Sequence, residues 1–391
     1  MINDSTPPDD QQEEYEDLGE SGKRYQAVIN QADWTVETII QQIDKGNIEL
    51  NPDFQRREAW RSVRKSQYIE SLIMNVPVPQ IVLAERKDKR GKFIVIDGKQ
   101  RLLALRQFHS GDEVFKKFAL EGLSIRTDLN GIDYLRLSSD FLLEQDLNAL
   151  ENSTIRTAVI RNWNDENFLY TVFLRLNTGS VPLSPQELRQ ALIPGEFVKF
   201  VDRYSRESNA LHAVMGLSRP DPRMRDAELV IRYFAFRNFL DIYTGNLKPL
   251  LDYTARHFNQ AWVADRRKID GQITDFESSI DTTVRIFGSG AFRKWNGIRF
   301  ERPLNRAVFD VMMYYFNDLN VRLAAEDSKV GVELAFKSLC ENERFRSSIE
   351  GTTKTIESIY TRIRLWGEVL QHYNVPATLP QLINNKIIRG D

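Results

Sequence analysis

Five consecutive residues, Asp97-Gly98-Lys99-Gln100-Arg101, combine a carboxylate, a glycine, an amide and two cations. An apolar run, Phe93 to Ile96, precedes them. Leu102, Leu103, Leu105 and Phe108 follow at helical spacing, which predicts a strand, a glycine turn and a helix. A helix N-terminus offers unpaired N–H groups and the positive end of the macrodipole, so a glycine turn feeding into one is a ready anion site. Gly98 would let a phosphate approach the backbone, and Arg101 and Lys99 would add charge-assisted hydrogen bonds. Asp97 would ligate a divalent cation, Mg²⁺, or orient a water, and Gln100 would position that water. This reading makes Asp97, Gln100 and Arg101 catalytic and Asp97 the metal ligand. The plain alternative is an Asp-Gly turn whose charges are merely solvated.

A second cluster, Asn51-Pro52-Asp53-Phe54-Gln55-Arg56-Arg57 with Trp60 and Arg61, places three arginines and an aromatic in an irregular segment. Guanidinium forks bind phosphates bidentately and Trp60 could stack on a base. The alternative is a surface loop whose tryptophan plugs the core. In the first reading Arg56 closes on the phosphates from the side opposite Arg101.

The elements that must position these residues read as α+β. Tyr25 to Ile29 suits a short strand. Val36, Ile39, Ile40 and Ile43 recur at helical spacing between Thr35, a candidate N-cap, and Gly46, a candidate stop. Ile69, Leu72 and Ile73 mark a second helix that Pro77 and Pro79 would end. A hairpin is expected from Gln80 to Ala84 and Phe93 to Ile96, with Glu85 to Gly91 as its loop, and a further strand from Ile155 to Ile160. Leu169, Val172, Phe173 and Leu176 form a helical apolar face. Beyond about residue 195, Glu228 to Tyr243, Pro303 to Glu326 and Thr352 to Tyr373 show helical periodicity without strand alternation. The expected organisation is an acidic tail over 1–22, an α+β domain over 23–195 and an all-α domain over 196–391.

Composition narrows the class. The chain has 391 residues, 41% of them hydrophobic, enough for two packed domains. Cys340 is the single cysteine, and with four scattered histidines it leaves no structural zinc set, so a reducing cytoplasm is expected. No apolar run approaches a membrane span or a secretion signal. Residues 1–22 carry eight acids and no base, so a net charge of −2 leaves the remainder at about +6. Such a tail lacks the apolar residues that would offset its ordering entropy, and it is expected to be disordered. A mildly basic body suits an anionic ligand.

The order of the clusters resembles a known family. Asn51-Pro52 with Gln55-Arg56, then a helix, then Pro79-Gln80-Ile81-Val82, then Gly98-Lys99-Gln100-Arg101 running into Leu102-Leu103-Ala104-Leu105, is similar to the first two boxes of ParB-type nucleotide-binding domains. The fuller likeness is to the GmrSD restriction endonuclease N-terminal domain family, marked by an Asp-Gly-Gln-Gln-Arg motif. Here Lys99 stands where that motif has its first glutamine. The resemblance extends to Arg175-Leu176-Asn177-Thr178-Gly179 and to Leu183-Ser184-Pro185-Gln186-Glu187-Leu188-Arg189, and so covers roughly residues 24 to 195. Arg225-Asp226-Ala227-Glu228 with Arg232 is a looser likeness. The family implies a ParB-like fold, nucleotide binding and hydrolysis, and a role against modified or foreign DNA.

The resemblance brings Gln55, Arg56, Gly98, Lys99, Arg175 and Asn177 together as the nucleotide-binding set. Arg175 and Asn177 sit where a helix meets a glycine turn and would serve equally as turn stabilisers. Ser184-Pro185-Gln186-Glu187 has the form of a capping box with proline at the first helical position. The partners expected are a nucleoside triphosphate, DNA, a separate nuclease or effector chain, and a second copy of this chain. The competing class is a non-enzymatic module that binds DNA or a partner through the same basic groove.

A nuclease within this chain is the third reading. Pro52-Asp53 with Glu85-Arg86-Lys87 has the outline of a carboxylate-carboxylate-lysine site, but Asp53 precedes a helix while Glu85 opens a hairpin loop, and such a site needs both acids on one metal. No histidine-centred nuclease motif is visible. His372 follows an amphipathic helix and reads as a packed or solvated side chain. No phosphate-loop sequence occurs either.

Overall fold

The computed structural model describes residues 27–50, 60–110, 112, 115–165, 168–169, 171–172, 184–351 and 353–390. The described residues fall into two compact units, one within Leu18–Leu192 and one within Ile193–Asp391. Together they make a mixed α+β chain with a small sheet.

The first unit runs β1 (Val28–Thr35), α1 (Val36–Asp44), α2 (Ser62–Ile73), β2 (Ile81–Glu85), β3 (Phe93–Asp97), α3 (Lys99–Ser110), α4 (Tyr134–Ser139), α5 (Glu144–Asn152), β4 (Thr154–Arg161) and α6 (Pro185–Leu192). Helix α1 starts where Thr35 Oγ1 accepts the Thr38 N–H at 3.1 Å. It buries Val36, Ile39, Ile40 and Ile43 and stops at Gly46, whose φ is +63°. Helix α2 buries Ile69, Leu72 and Ile73. It ends on Asn75 in the left-handed region (φ +54°), ahead of the prolines expected to break it.

The expected hairpin is present one residue further on: β2 and β3 pair antiparallel, with Val82 opposite Asp97 and Glu85 opposite Phe93. Strand β4 pairs parallel with β2 and antiparallel with β1, giving the order β1-β4-β2-β3. The first strand differs from expectation. Tyr25 and Gln26 lie outside the described residues, and the strand continues through Asn30-Gln31-Ala32-Asp33 to Thr35. These residues have poor strand propensity, but each has a partner on β4, and the ladder overrides propensity. Of the expected helical face after β4, Leu169 and Val172 are helical, while Phe173 and Leu176 lie outside the described residues.

One apolar cluster joins α1, α2 and α3 to the sheet through Ile39, Ile69, Leu72, Leu83, Val95, Leu102 and Leu103. Full burial of each such side chain contributes about 2 kcal/mol. This core fixes the start of α3 against the end of β3.

The second unit comprises α7 (Glu196–Glu207), α8 (Asn209–Met215), α9 (Arg225–Asn238), α10 (Leu247–Gln260), α11 (Arg266–Phe287), α12 (Arg306–Phe316), α13 (Leu319–Asp327), α14 (Lys329–Glu341), α15 (Glu343–Glu350) and α16 (Ile356–His372). The apolar-periodic segment from Pro303 to Glu326 is divided between α12 and α13, because Asp318 accepts the Asn320 and Val321 N–H groups and caps a new start. Every residue of α12 is buried, the mark of a central helix.

Nor is this unit purely helical. β5 (Gln381–Ile383) and β6 (Lys386–Ile388) form a hairpin turning on Asn384 and Asn385, at φ +50° and +60°. Two left-handed asparagines between short apolar runs are the residues a two-residue hairpin turn favours. No helix among the described residues is long and apolar enough to cross a membrane.

Candidate functional site

Strand β3 ends at Asp97, Gly98 turns the chain, and α3 begins at Lys99. Gly98 has φ +97°, and a Cβ there would stand 3.0 Å from Ile81 Cγ1 and 3.3 Å from Arg101 Nε. Both the dihedral and the space therefore exclude a side chain. Gly98 is itself buried, so the Ile81 and Arg101 side chains stand directly against the backbone at the helix start.

The two cations of the motif are buried and ion-paired. Arg101 Nη2 donates to Asp97 Oδ2 at 2.7 Å, so the carboxylate expected to hold a metal neutralises the arginine expected to hold phosphate. Lys99 Nζ donates to Glu187 Oε1 at 2.8 Å. Its ammonium thus ties α3 to α6. Gln100 Oε1 accepts the Trp60 backbone N–H at 3.3 Å, which joins the motif to the segment ahead of α2.

Glu187 has two tasks. Its other oxygen accepts the Ser184 N–H at 2.7 Å while Ser184 Oγ accepts the Glu187 N–H at 3.1 Å. The capping box read in the sequence is therefore closed on both sides. Within the same helix, Gln186 Oε1 accepts from Arg189 Nη1 at 2.6 Å.

Tyr68, on α2, was not singled out by its sequence. Its side chain is 7% exposed and its hydroxyl has no hydrogen-bond partner. Burial pushes its pKa up, and the positive charge of Arg101 draws it partly back, which places the phenol within electrostatic reach of that guanidinium. The ring packs edge-on against Trp60 at 5.7 Å between centroids, and Arg64 lies over the Trp60 ring at 4.9 Å. Trp60 therefore packs on the core and on Tyr68. A second polar side chain without a partner is Gln190 on α6, one turn beyond Glu187 and 7% exposed. Neither residue carried a sequence signal, because a lone tyrosine or glutamine on a helix has none.

The structure thus brings Asp97, Gly98, Lys99, Gln100 and Arg101 together with Trp60, Tyr68 and Glu187. Gln55, Arg56, Arg175 and Asn177 lie outside the described residues, as does Asp53. Glu85 closes the hairpin loop by accepting the Gly91 N–H at 2.9 Å. Among the described residues no group of three or more His, Cys, Asp and Glu side chains could hold a metal ion. Mg²⁺ here would need ligand phosphates besides Asp97.

In the second unit, Arg232 Nε donates to Asp310 Oδ1 at 3.0 Å, and Arg306 and Arg232 flank Glu228 at 3.5 and 3.8 Å. Arg225 binds Asp221 at 2.6 Å. Burial would raise the Asp221 pKa, but the hydrogen bond and charge of Arg225 bring it below its ordinary value. The Arg232–Asp310 and Arg306–Glu228 pairs join α9 to α12, and Arg225–Asp221 ties the start of α9 to the turn before it. His372 is exposed.

No curated protein and no solved structure matches the chain. A family does: the GmrSD restriction endonuclease, N-terminal domain, over residues 36–194, a range that ends before Arg225. That segment, which holds the Gly98 turn and the capping box of α6, is similar to the GmrSD restriction endonuclease N-terminal domain family, and the likeness suggests a restriction or defence role.

Proposed function

We propose that the first unit is a ParB-like domain that binds a nucleoside triphosphate with Mg²⁺ and hydrolyses it, as the nucleotide-responsive part of a restriction or anti-phage system. The observation that carries this is the Gly98 turn at a helix start, with the buried Arg101 guanidinium packed on it 2.7 Å from Asp97 and the partnerless Tyr68 hydroxyl within its field. A triphosphate accepts hydrogen bonds from the first N–H groups of α3 and from Arg101. Asp97, released from Arg101 by the competing phosphate, is left to face the metal or the attacking water. The bound cation would neutralise charge on the phosphates. Gln100 orients the water, and catalysis comes from positioning and charge stabilisation. Gln55, Arg56, Arg175 and Asn177 complete the nucleotide contacts.

A separate chain supplies DNA cleavage in this reading. Calorimetric titration of the full chain with each of the four NTPs and Mg²⁺ tests binding. Arg101→Ala is expected to abolish the heat while circular dichroism stays unchanged, and equal affinity in that variant rejects the site. Phosphate release above background, with or without DNA, tests hydrolysis. Its failure alongside intact binding favours the second reading, a module that binds and does not turn over, which suits a site whose two cations already carry internal counter-ions.

A further inference from the structure

The sheet of the first unit has two ends. Asp97 and Gly98 stand at one, opposite the start of β2, while the ends of β2 and β4 and the start of β1 stand at the other. At this second end is a cavity of about 700 Å³, lined by Arg86, Lys87, Arg90 and Arg161, by one acid, Glu85, and by Trp163. That volume lies within the range of ligand pockets.

The charges do not cancel. Arg86 is held by Asp88 at 3.0 Å and Glu49 at 3.4 Å. Glu85 gives one oxygen to the Gly91 N–H and stands 3.6 Å from Arg161, whose Nε has no hydrogen-bond partner. Lys87 and Arg90 are exposed, and the Arg161 side chain is 42% exposed. Among the described residues, three cations therefore face one carboxylate. Trp163 is fixed beneath them: its Nε1 donates to Glu85 O at 2.8 Å, and Lys87 Nζ lies 4.2 Å over its ring. Lys87 also donates to Asn164 O at 2.9 Å, which leaves its ammonium with further N–H groups.

We propose that this end of the sheet is a DNA contact surface, with Lys87, Arg90 and Arg161 binding the phosphate backbone of the duplex. The cations come from two separate segments, the loop between β2 and β3 and the end of β4. They are exposed around a concave mouth, and among the described residues no helix start or glycine turn lines it, unlike a site that wraps one free phosphate. Point charges of this kind position a protein on DNA without reading bases. The site is distinct from the Gly98 turn and does not depend on nucleotide binding there.

The test uses the full chain and a fluorescein-labelled duplex of about 20 base pairs, titrated by anisotropy over a salt series. The wild type is expected to bind, with log K falling linearly against log salt. Lys87→Gln, Arg90→Gln and Arg161→Gln combined should weaken binding at least tenfold and reduce the slope by about 2.7. The charge-keeping Lys87→Arg, Arg90→Lys pair should retain it, and NTP titration of the triple variant should be unchanged. No duplex binding at low salt, or triple-variant affinity and slope equal to wild type, overturns the proposal. So does a triple variant that loses NTP binding while keeping DNA, which would assign the cavity to free nucleotide.

Discussion

Lys99 and Glu187, 88 positions apart, form a buried ion pair at 2.8 Å. The glutamate that receives the ammonium also closes the capping box of α6, so one carboxylate joins the start of α3 to the start of α6. Lysine at this motif position does more than preserve a turn. It supplies a counter-charge for an acid that is almost fully enclosed. Removing one partner of a buried pair leaves the other charge uncompensated, at a cost of about 3 kcal/mol. Lys99→Gln, which restores the family's amide, should lower the urea stability of the full chain by that amount, and adding Glu187→Gln should recover most of it. Equal stability of the single variant and wild type would show that the pair is not needed.

The Tyr68 hydroxyl is buried without a hydrogen bond, a state that costs about 1–3 kcal/mol. Tyr68→Phe removes the cost, so the unliganded protein should be as stable as wild type or more so in thermal melts. If the phosphates or ribose of the proposed nucleotide satisfy the hydroxyl, the same variant should bind NTP several-fold more weakly. Unchanged affinity would take Tyr68 out of the site without touching Arg101.

His109 sets a pH dependence. Its ring packs on Tyr134 at 4.4 Å and its Nδ1 is buried without a partner. Burial lowers its pKa, Asp44 and Glu151 pull it back up, and Arg106 lowers it further. A folded state that holds the proton less tightly than the unfolded chain gains stability that is present above the ordinary value of 6.5 and lost as pH falls below it. Urea midpoints at about pH 7.5 and about pH 5.5 should therefore differ, with the acid one lower. His109→Phe should shrink that difference.

In the second unit Asp310 carries the network between α9, α12 and α16. Arg232 lies on one of its oxygens at 3.0 Å and Arg362 is 3.6 Å from the other, all three side chains being buried. Asp310→Asn should destabilise the chain by about 3 kcal/mol in urea unfolding, since the Arg362 guanidinium loses its carboxylate and Arg232 keeps only Glu228. Binding of NTP by the first unit should not change in the folded variant.

The sequence by itself determined what depends on near neighbours. The strand, glycine turn and helix at Asp97 to Arg101, the Thr35 cap, and the Ser184 and Glu187 box all follow from residues within four positions of one another, where side-chain chemistry dictates backbone geometry directly. The Asp97 and Arg101 pair is of this kind too, the two residues lying four positions apart across the Gly98 turn. The Asn384 and Asn385 hairpin was not read from the sequence, which led to an all-α expectation, although its turn residues carry the signal.

The tertiary structure alone decided which distant groups meet. The continuation of β1 through Asn30-Gln31-Ala32-Asp33 came from its ladder with β4, the place of Lys99 from Glu187, and the orphaned Tyr68 hydroxyl from the packing of α2. The physical reason is that a buried charge or polar group takes its energy from whichever partner the core brings within about 3 Å. No local pattern encodes that partner.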